Sequence, residues 1–159
     1  MKSVIRLTNY WIFKANDDSD GEHTLTGLTI YRHRMEDKAW GIKEYKKNGQ
    51  RASNVTKLGR GNKVVFYLCG SDGHCFLGRA TLETGFPLTE LVVHKEYLDW
   101  KHGVKLTDIK QWVKPVQIKP LEGRLSFFAE GETNWGAHLQ GAITRITESD
   151  YKTIEDAAS

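Results

Sequence analysis

Lys63-Val64-Val65-Phe66-Tyr67-Leu68-Cys69-Gly70-Ser71-Asp72-Gly73-His74-Cys75-Phe76-Leu77-Gly78-Arg79-Ala80-Thr81-Leu82 is the stretch on which the fold turns. Val64 to Cys69 is a run of β-branched and aromatic residues, which pack well on a pleated surface. Gly70-Ser71-Asp72-Gly73 carries the residues a tight hairpin turn needs, and Cys75 to Leu82 returns as the partner strand. A long apolar hairpin of this kind must be covered on at least one side, so the rest of the chain is read as its cover.

Upstream, Tyr10-Trp11-Ile12-Phe13 is another strand-type run that ends at Lys14-Ala15-Asn16, and Asp17 to Gly21 reads as a turn. Thr24-Leu25-Thr26 and Leu28-Thr29-Ile30-Tyr31 alternate, which predicts a short extended piece or a lid. Trp40-Gly41-Ile42 begins a further strand, and Lys46-Lys47-Asn48-Gly49 and Arg60-Gly61-Asn62 are turn signals. Downstream, Glu83 to Thr89 holds Gly85 and Pro87 and is loop, and Glu90 to His102 has no regular spacing. Trp112 to Ile118 alternates in part, with Pro115 marking an edge or a bulge. Pro120 to Phe128 is read as holding a short helix. Ile143-Thr144-Arg145-Ile146 precedes a closing helix from Thr147 to Ala157. Thr147 or Ser149 caps it, and Asp150 sits in the first turn where the helix dipole favours an anion.

Strands therefore dominate, with one or two helices and closely spaced turns. This predicts an α+β fold, a small mixed β-barrel rather than a βαβ array. The 159 residues, with no internal repeat and no linker, predict a single domain over 1–159.

Apolar residues make up 39% and charged residues 27%, with a formal net charge of +3. So small a charge does not mark a nucleic-acid binder, and placement matters more than the sum. Lys43, Lys46, Lys47, Arg51, Lys57 and Arg60 form a basic block against Glu44, whereas acids gather at Asp17 to Glu22 and Glu148 to Asp156. The block reads equally as a solvated loop. No apolar stretch approaches the roughly 18 residues that cross a bilayer. Met1-Lys2-Ser3-Val4-Ile5-Arg6 is too short and polar for a signal peptide. A cytoplasmic protein without a membrane partner is the expectation, with Cys69 and Cys75 as reduced thiols rather than a hairpin disulfide.

Four patterns in the chain bear on chemistry. Cys69, His74 and Cys75 do not follow a zinc spacing, and no second cysteine pair accompanies them, so no metal is expected. Cys75 or Cys69 with one of six histidines is a conceivable nucleophile pair, but no local signature supports it. Gly59-Arg60-Gly61-Asn62-Lys63 lacks the Gly-Lys-Ser/Thr ending of a phosphate loop and leads into a strand, so it is a turn. The fourth pattern is aromatic. Among five indoles, Trp11 and Trp112 sit in strand patterns and look like core, while Trp40, Trp100 and Trp135 adjoin Gly, Lys or Asn. An indole either fills a core or faces a flat ligand. Stacking of a base on an aromatic ring is worth roughly 1–3 kcal/mol. Lysines and arginines alongside would hold phosphates without reading sequence.

Tyr10 to Asn16, Ala39-Trp40-Gly41-Ile42, Gly61 to Tyr67, Phe76 to Leu82, then Asn134-Trp135-Gly136-Ala137-His138-Leu139-Gln140-Gly141 and Ser149-Asp150-Tyr151 occur in that order. Together they resemble an EVE domain of the PUA-like superfamily, which is similar to the YTH domains that hold N6-methyladenine of RNA in an aromatic cage. The resemblance covers nearly the whole chain. It implies a PUA-like mixed β-barrel flanked by a few short helices, with no cofactor, and recognition of modified bases in DNA or RNA. Carried over by position, Trp40 is the cage wall, with Gly41 offering its backbone N–H where YTH domains have a small polar side chain. Lys14 and Asn16 would meet phosphate and base edge. Trp100 or Trp112 is the second wall, Trp135 and His138 stand at the pocket mouth, and Ser71 reaches a base edge. Lys43 and Arg79, then Arg51 and Arg60, are the other phosphate candidates. The segment 17–38 is longer than in compact members and would form a lid or extra strand.

The expectation is thus a non-enzymatic nucleic-acid reader that extrudes one modified base into an aromatic pocket. On it, Trp40→Ala weakens binding and leaves folding largely intact. A cysteine-dependent enzyme and a small-ligand or partner-binding module remain the alternatives. Sequence leaves oligomeric state open.

Overall fold

The computed structural model describes residues 8–19, 24–41, 57–69, 73–85, 103–128 and 143–158. The hairpin is its centre. Strand β5 (Lys63–Leu68) pairs antiparallel with β6 (Cys75–Leu82), from Lys63 opposite Thr81 to Leu68 opposite Cys75. Residues 70–72 of the turn lie outside the described residues. Strand β1 (Tyr10–Ala15) lies beside β5 in parallel, Trp11 opposite Val64 and Phe13 opposite Phe66. Parallel neighbours need a long crossover. Here it carries helix α1 (Gly27–Asp37) and strand β4 (Ala39–Gly41). Strand β7 (Gly103–Gln117) pairs with β6 on one side and with β4 on the other, and β8 (Ile143–Ile146) pairs antiparallel with β1. The six strands run in the order β4-β7-β6-β5-β1-β8 and curl into a half-barrel, so the fold is α+β as expected. Strands β2 (Asp18–Ser19) and β3 (Thr24–Leu25) form a separate two-stranded ribbon.

Side-chain alternation along β1 and β5 builds two cores. Trp11, Phe13, Val64 and Phe66 point to one face, where Tyr31 and Met35 of α1 and Trp40 of β4 meet them. Ile12, Val65 and Tyr67 point to the other, under helix α2 (Glu148–Ala157) and a 3-10 turn over Lys119–Leu121. At roughly 1.5–3 kcal/mol for each large side chain moved out of water, these two layers are what hold the sheet curled between its helices.

The segment expected as an extended piece or lid is instead helical from Gly27. Thr26 accepts a hydrogen bond from the Thr29 N–H and so caps the first turn. Ile30, Tyr31, Arg34 and Met35 then recur at helical spacing and are buried. Tertiary burial at this period outweighs the local alternation of Leu28 and Ile30. The short helix expected over 120–128 amounts to the 3-10 turn followed by further turns. The closing helix is found, and Thr147 rather than Ser149 caps it by accepting from the Asp150 N–H. Asp150 is 2% exposed and its carboxylate accepts from both the backbone N–H and the hydroxyl of Ser126. Among the described residues no helix is long and apolar enough to cross a membrane.

Two irregularities shape β7. Arg79 faces Lys110 but Thr81 faces Thr107, so β7 holds one extra residue, and Asp108 takes it up at φ +51°. Asp tolerates that left-handed region better than most residues. Further on, Phe76 faces Val116 and Gly78 faces Gln111, so Trp112 to Pro115 stand opposite Leu77 alone. This is the bulge that Pro115 foretells, since proline cannot donate to a ladder.

Candidate functional site

Trp40 is 3% exposed. Its ring stacks on Phe66 with centroids 5.1 Å apart and planes 20° apart, and meets Phe13 at 5.5 Å. The Arg34 guanidinium lies over the indole, 4.4 Å from its centroid, and Nη1 donates to the Gly41 carbonyl at 2.6 Å. Gly41 is buried as well. Trp40 therefore belongs to the core on the α1 face, and a base reaches it only after a present neighbour moves. This corrects one expectation. Truncating a Trp so packed costs about 3–5 kcal/mol of folding, so Trp40→Ala is not a neutral probe of binding.

Trp112 lies on the opposite face, half-buried against the cluster that contains Val65 and Tyr67. It does not sandwich anything with Trp40. It lines a cleft of about 270 Å³ together with Arg79, Lys110, Glu155, Asp156 and Ala158. Arg79 spans this cleft, its Nε 2.9 Å from the Glu155 carboxylate and its Nη1 3.7 Å from that of Asp108. The left-handed turn at Asp108 is what brings the second carboxylate within reach. The structure thus brings Arg79 and Trp112 together, but holds Arg79 in ion pairs.

The other expected residues are dispersed. Lys14 is half-buried on β1, and Asn16 is exposed just beyond it, its Oδ1 accepting from the Asp17 N–H. Arg60 is exposed in the turn before β5. Lys43, Arg51, Ser71, Trp100, Trp135 and His138 lie outside the described residues. Sequence reading missed Arg34 and Lys110. Arg34 carried a signal, since it falls on the Ile30–Tyr31–Met35 stripe at helical spacing, but only if that stretch is read as helix. Lys110 carried none before its register opposite Arg79 was known.

The thiols do not resemble an activated nucleophile. Cys69 packs with the α2-side core and Cys75 with the α1-side core, so the two point to opposite faces, and both are free. Burial pushes both thiols above their usual range, the reverse of what a reactive thiolate needs. The His74 ring instead meets the Tyr67 hydroxyl at 3.1 Å.

Solved proteins share this fold over nearly the whole chain. Human THYN1, solved with DNA containing 5-methylcytosine, superposes with a TM-score of 0.58 over 96% of this chain and 99% of its own, at 10% identity. The YTH domain of Zygosaccharomyces rouxii MRB1, solved with N6-methyladenosine RNA, gives 0.58 over 98% and 90%, at 12% identity. Atu2648 from Agrobacterium tumefaciens gives 0.56 over 96% and 94%, at 16% identity. Likeness at such identities is likeness of fold. UPF0310 protein msl3206 of Mesorhizobium japonicum is 48% identical over 40 residues, 25% of this chain and 26% of the relative, so the match spans about a quarter of each. No protein-family model matches the chain.

Proposed function

We propose that this chain is a non-catalytic nucleic-acid-binding module that takes one modified base against Trp40. The observation that carries the reading is the shared fold, over nearly the full chain, with two proteins solved on methylated nucleic acid. The placement of Trp40 at the join of α1 and β4, with an arginine on its ring, supports where the base would go. In this mechanism the Arg34 guanidinium swings off the indole and the base takes its place. A cation–π contact is worth about 0.5–2 kcal/mol and a stacked base roughly 1–3 kcal/mol, so the exchange is balanced or favourable. The released guanidinium regains water or a phosphate, which offsets loss of its bond to Gly41.

Direct titration of single-stranded DNA with cytosine or 5-methylcytosine, and of RNA with adenosine or N6-methyladenosine, over a series of salt concentrations tests it. One modified oligonucleotide should bind tighter than its plain partner, with affinity falling linearly in log salt. Trp40→Phe, which keeps the core filled, should lower that preference. Equal binding of every oligonucleotide, or none, ends the reading.

A further inference from the structure

The sheet face opposite Trp40 carries a polar corner that the proposed base site does not use. Along β7, Val104, Leu106 and Ile109 face the α1 side, so Lys105, Thr107 and, past the extra residue Asp108, Lys110 face the α2 side. Register extends this corner across the sheet. Lys63, Thr81 and Thr107 form one cross-strand row, with the Lys63 Nζ donating to the Thr81 hydroxyl at 2.9 Å. Arg79 and Lys110 form the next. Lys105, Thr107 and Lys110 are exposed, so α2 does not cover them. Beyond Lys110, on the same face, stands the half-buried indole of Trp112, and in the bulge after it Val113 is fully and Lys114 largely exposed.

The geometry points to this corner as a track for a single-stranded nucleic-acid segment, with phosphates at Lys63, Lys105 and Lys110 and one base on Trp112. Neighbouring strands lie about 4.8 Å apart, and next-but-one residues on a strand about 7 Å apart. The three lysines therefore stand apart as a triangle, Lys105 and Lys110 along β7 and Lys63 two strands across from Thr107, too widely spaced for one small anion and suited to successive phosphates. Thr81 and Thr107 add hydroxyls between them. Arg79 is not among the phosphate contacts, since Glu155 and Asp108 already hold it. The nearby acids are Glu83, at the strand end beside Lys105, and Asp156, at the rim of the Trp112 cleft. They set the two ends of the track. A half-buried indole accepts only a base that is already unstacked, which selects single strands over duplex.

This inference rests on the reading that the chain binds nucleic acid, and places a second contact away from Trp40. The test compares two probes on the intact chain: a modified nucleoside, and a single-stranded oligonucleotide of about a dozen nucleotides with that base at its centre. Lys105→Gln and Lys110→Gln alter exposed side chains, and Trp112→Phe serves as the conservative partner of Trp112→Ala. Trp112→Ala should weaken the oligonucleotide roughly tenfold or more, with Trp112→Phe retaining most of the affinity. Each lysine variant should lower the slope of log affinity against log salt by about one. None should change nucleoside binding. Unchanged oligonucleotide affinity and slope overturn the track, as does tighter binding of the matching duplex. Equal loss on both probes also overturns it, since these residues would then serve the base pocket. If Trp40→Phe lowers binding of both probes while the track variants do nothing, only the track fails. If neither probe binds the unaltered chain, both readings fall together.

Discussion

The Arg34 guanidinium lies 4.4 Å from the centre of the Trp40 indole and donates to the Gly41 carbonyl at 2.6 Å, so one side chain from the end of α1 grips the last two residues of the strand that follows. A cationic group in the last helical turn also complements the helix dipole. Arg34 is 7% exposed, which makes it a structural clasp and, on the proposed mechanism, the group a base must displace. Arg34→Met keeps the bulk of the side chain and removes both contacts. Chemical denaturation should show a loss of about 1–3 kcal/mol. The folded variant should bind the modified nucleoside about 2- to 30-fold tighter, because the competing cation–π contact is gone. Weaker binding by a variant that remains folded would mean that Arg34 itself holds the ligand.

Gly78 sits where three elements converge. A Cβ there would lie 2.5 Å from the Lys110 carbonyl, 2.9 Å from the Tyr31 hydroxyl and 3.2 Å from the Gln111 Cα. Two of those atoms are backbone of β7 and cannot yield cheaply. Gly78→Ala should therefore destabilise by about 1–3 kcal/mol and part β7 from β6 just where both strands are irregular. Thermal unfolding measures the first effect. Amide hydrogen exchange at Lys110 and Gln111 measures the second, with faster exchange expected in the variant. An unchanged melting temperature would show that the strands separate there without cost.

Sequence made the hairpin, β1 and α2 legible because each carries its own local signal. The signals are β-branched and aromatic runs at Val64–Leu68 and Tyr10–Phe13, and a capping Thr147 before an amphipathic stretch. Pro115 likewise announced its bulge. Helix α1 was hidden for a physical reason. Its apolar positions Leu28, Ile30 and Tyr31 also fit a strand, and its buried stripe is completed by Arg34, a residue that patterning counts as solvent-facing. The length of β7 was hidden because most of its residues from Lys105 to Pro115 are exposed and show little apolar period. For the site, Trp40 was found as a residue, but its burial depended on Phe66 and Arg34, distant in sequence or misread in type. The pairing of Arg79 with Asp108 depended on one left-handed residue that no composition reveals.

Trp11 shows how a buried indole is kept at no polar loss. Its Nε1–H donates to the Asn62 Oδ1 at 3.0 Å, and the same oxygen accepts from the Gly59 N–H at 3.0 Å. Asn62 is 5% exposed and Trp11 is wholly buried, so the indole N–H finds no water if that oxygen is removed, whereas Gly59 is only partly buried. Asn62→Ala should cost about 1–3 kcal/mol, the buried indole N–H being left unmet while the turn at Gly59 loses its side-chain acceptor. Asn62→Asp retains the acceptor and should recover part of the loss. Urea unfolding of the two variants against the parent gives the order, and an alanine variant as stable as the aspartate one would contradict it.

Alkaline stability follows from the phenols. Burial, reinforced by the Glu155 carboxylate and opposed by Arg79, pushes the Tyr151 hydroxyl up to about 12 from an ordinary 10.0. A raised value means that the fold prefers the neutral phenol. The associated stability is fully present below pH 10 and is lost as pH climbs from there toward 12. Tyr31 and Tyr67 are shifted upward as well, by burial foremost, so their contributions erode over the same climb and beyond. Tyr151→Phe removes one of the three and should flatten the fall of unfolding free energy with pH above 10. Glu155→Gln should bring the Tyr151 titration down, because the carboxylate that disfavours phenolate is gone. Tyrosinate absorbance recorded alongside unfolding free energy reads both. A Tyr151→Phe protein with the parent's alkaline slope would show that this hydroxyl titrates alike in the folded and unfolded chain.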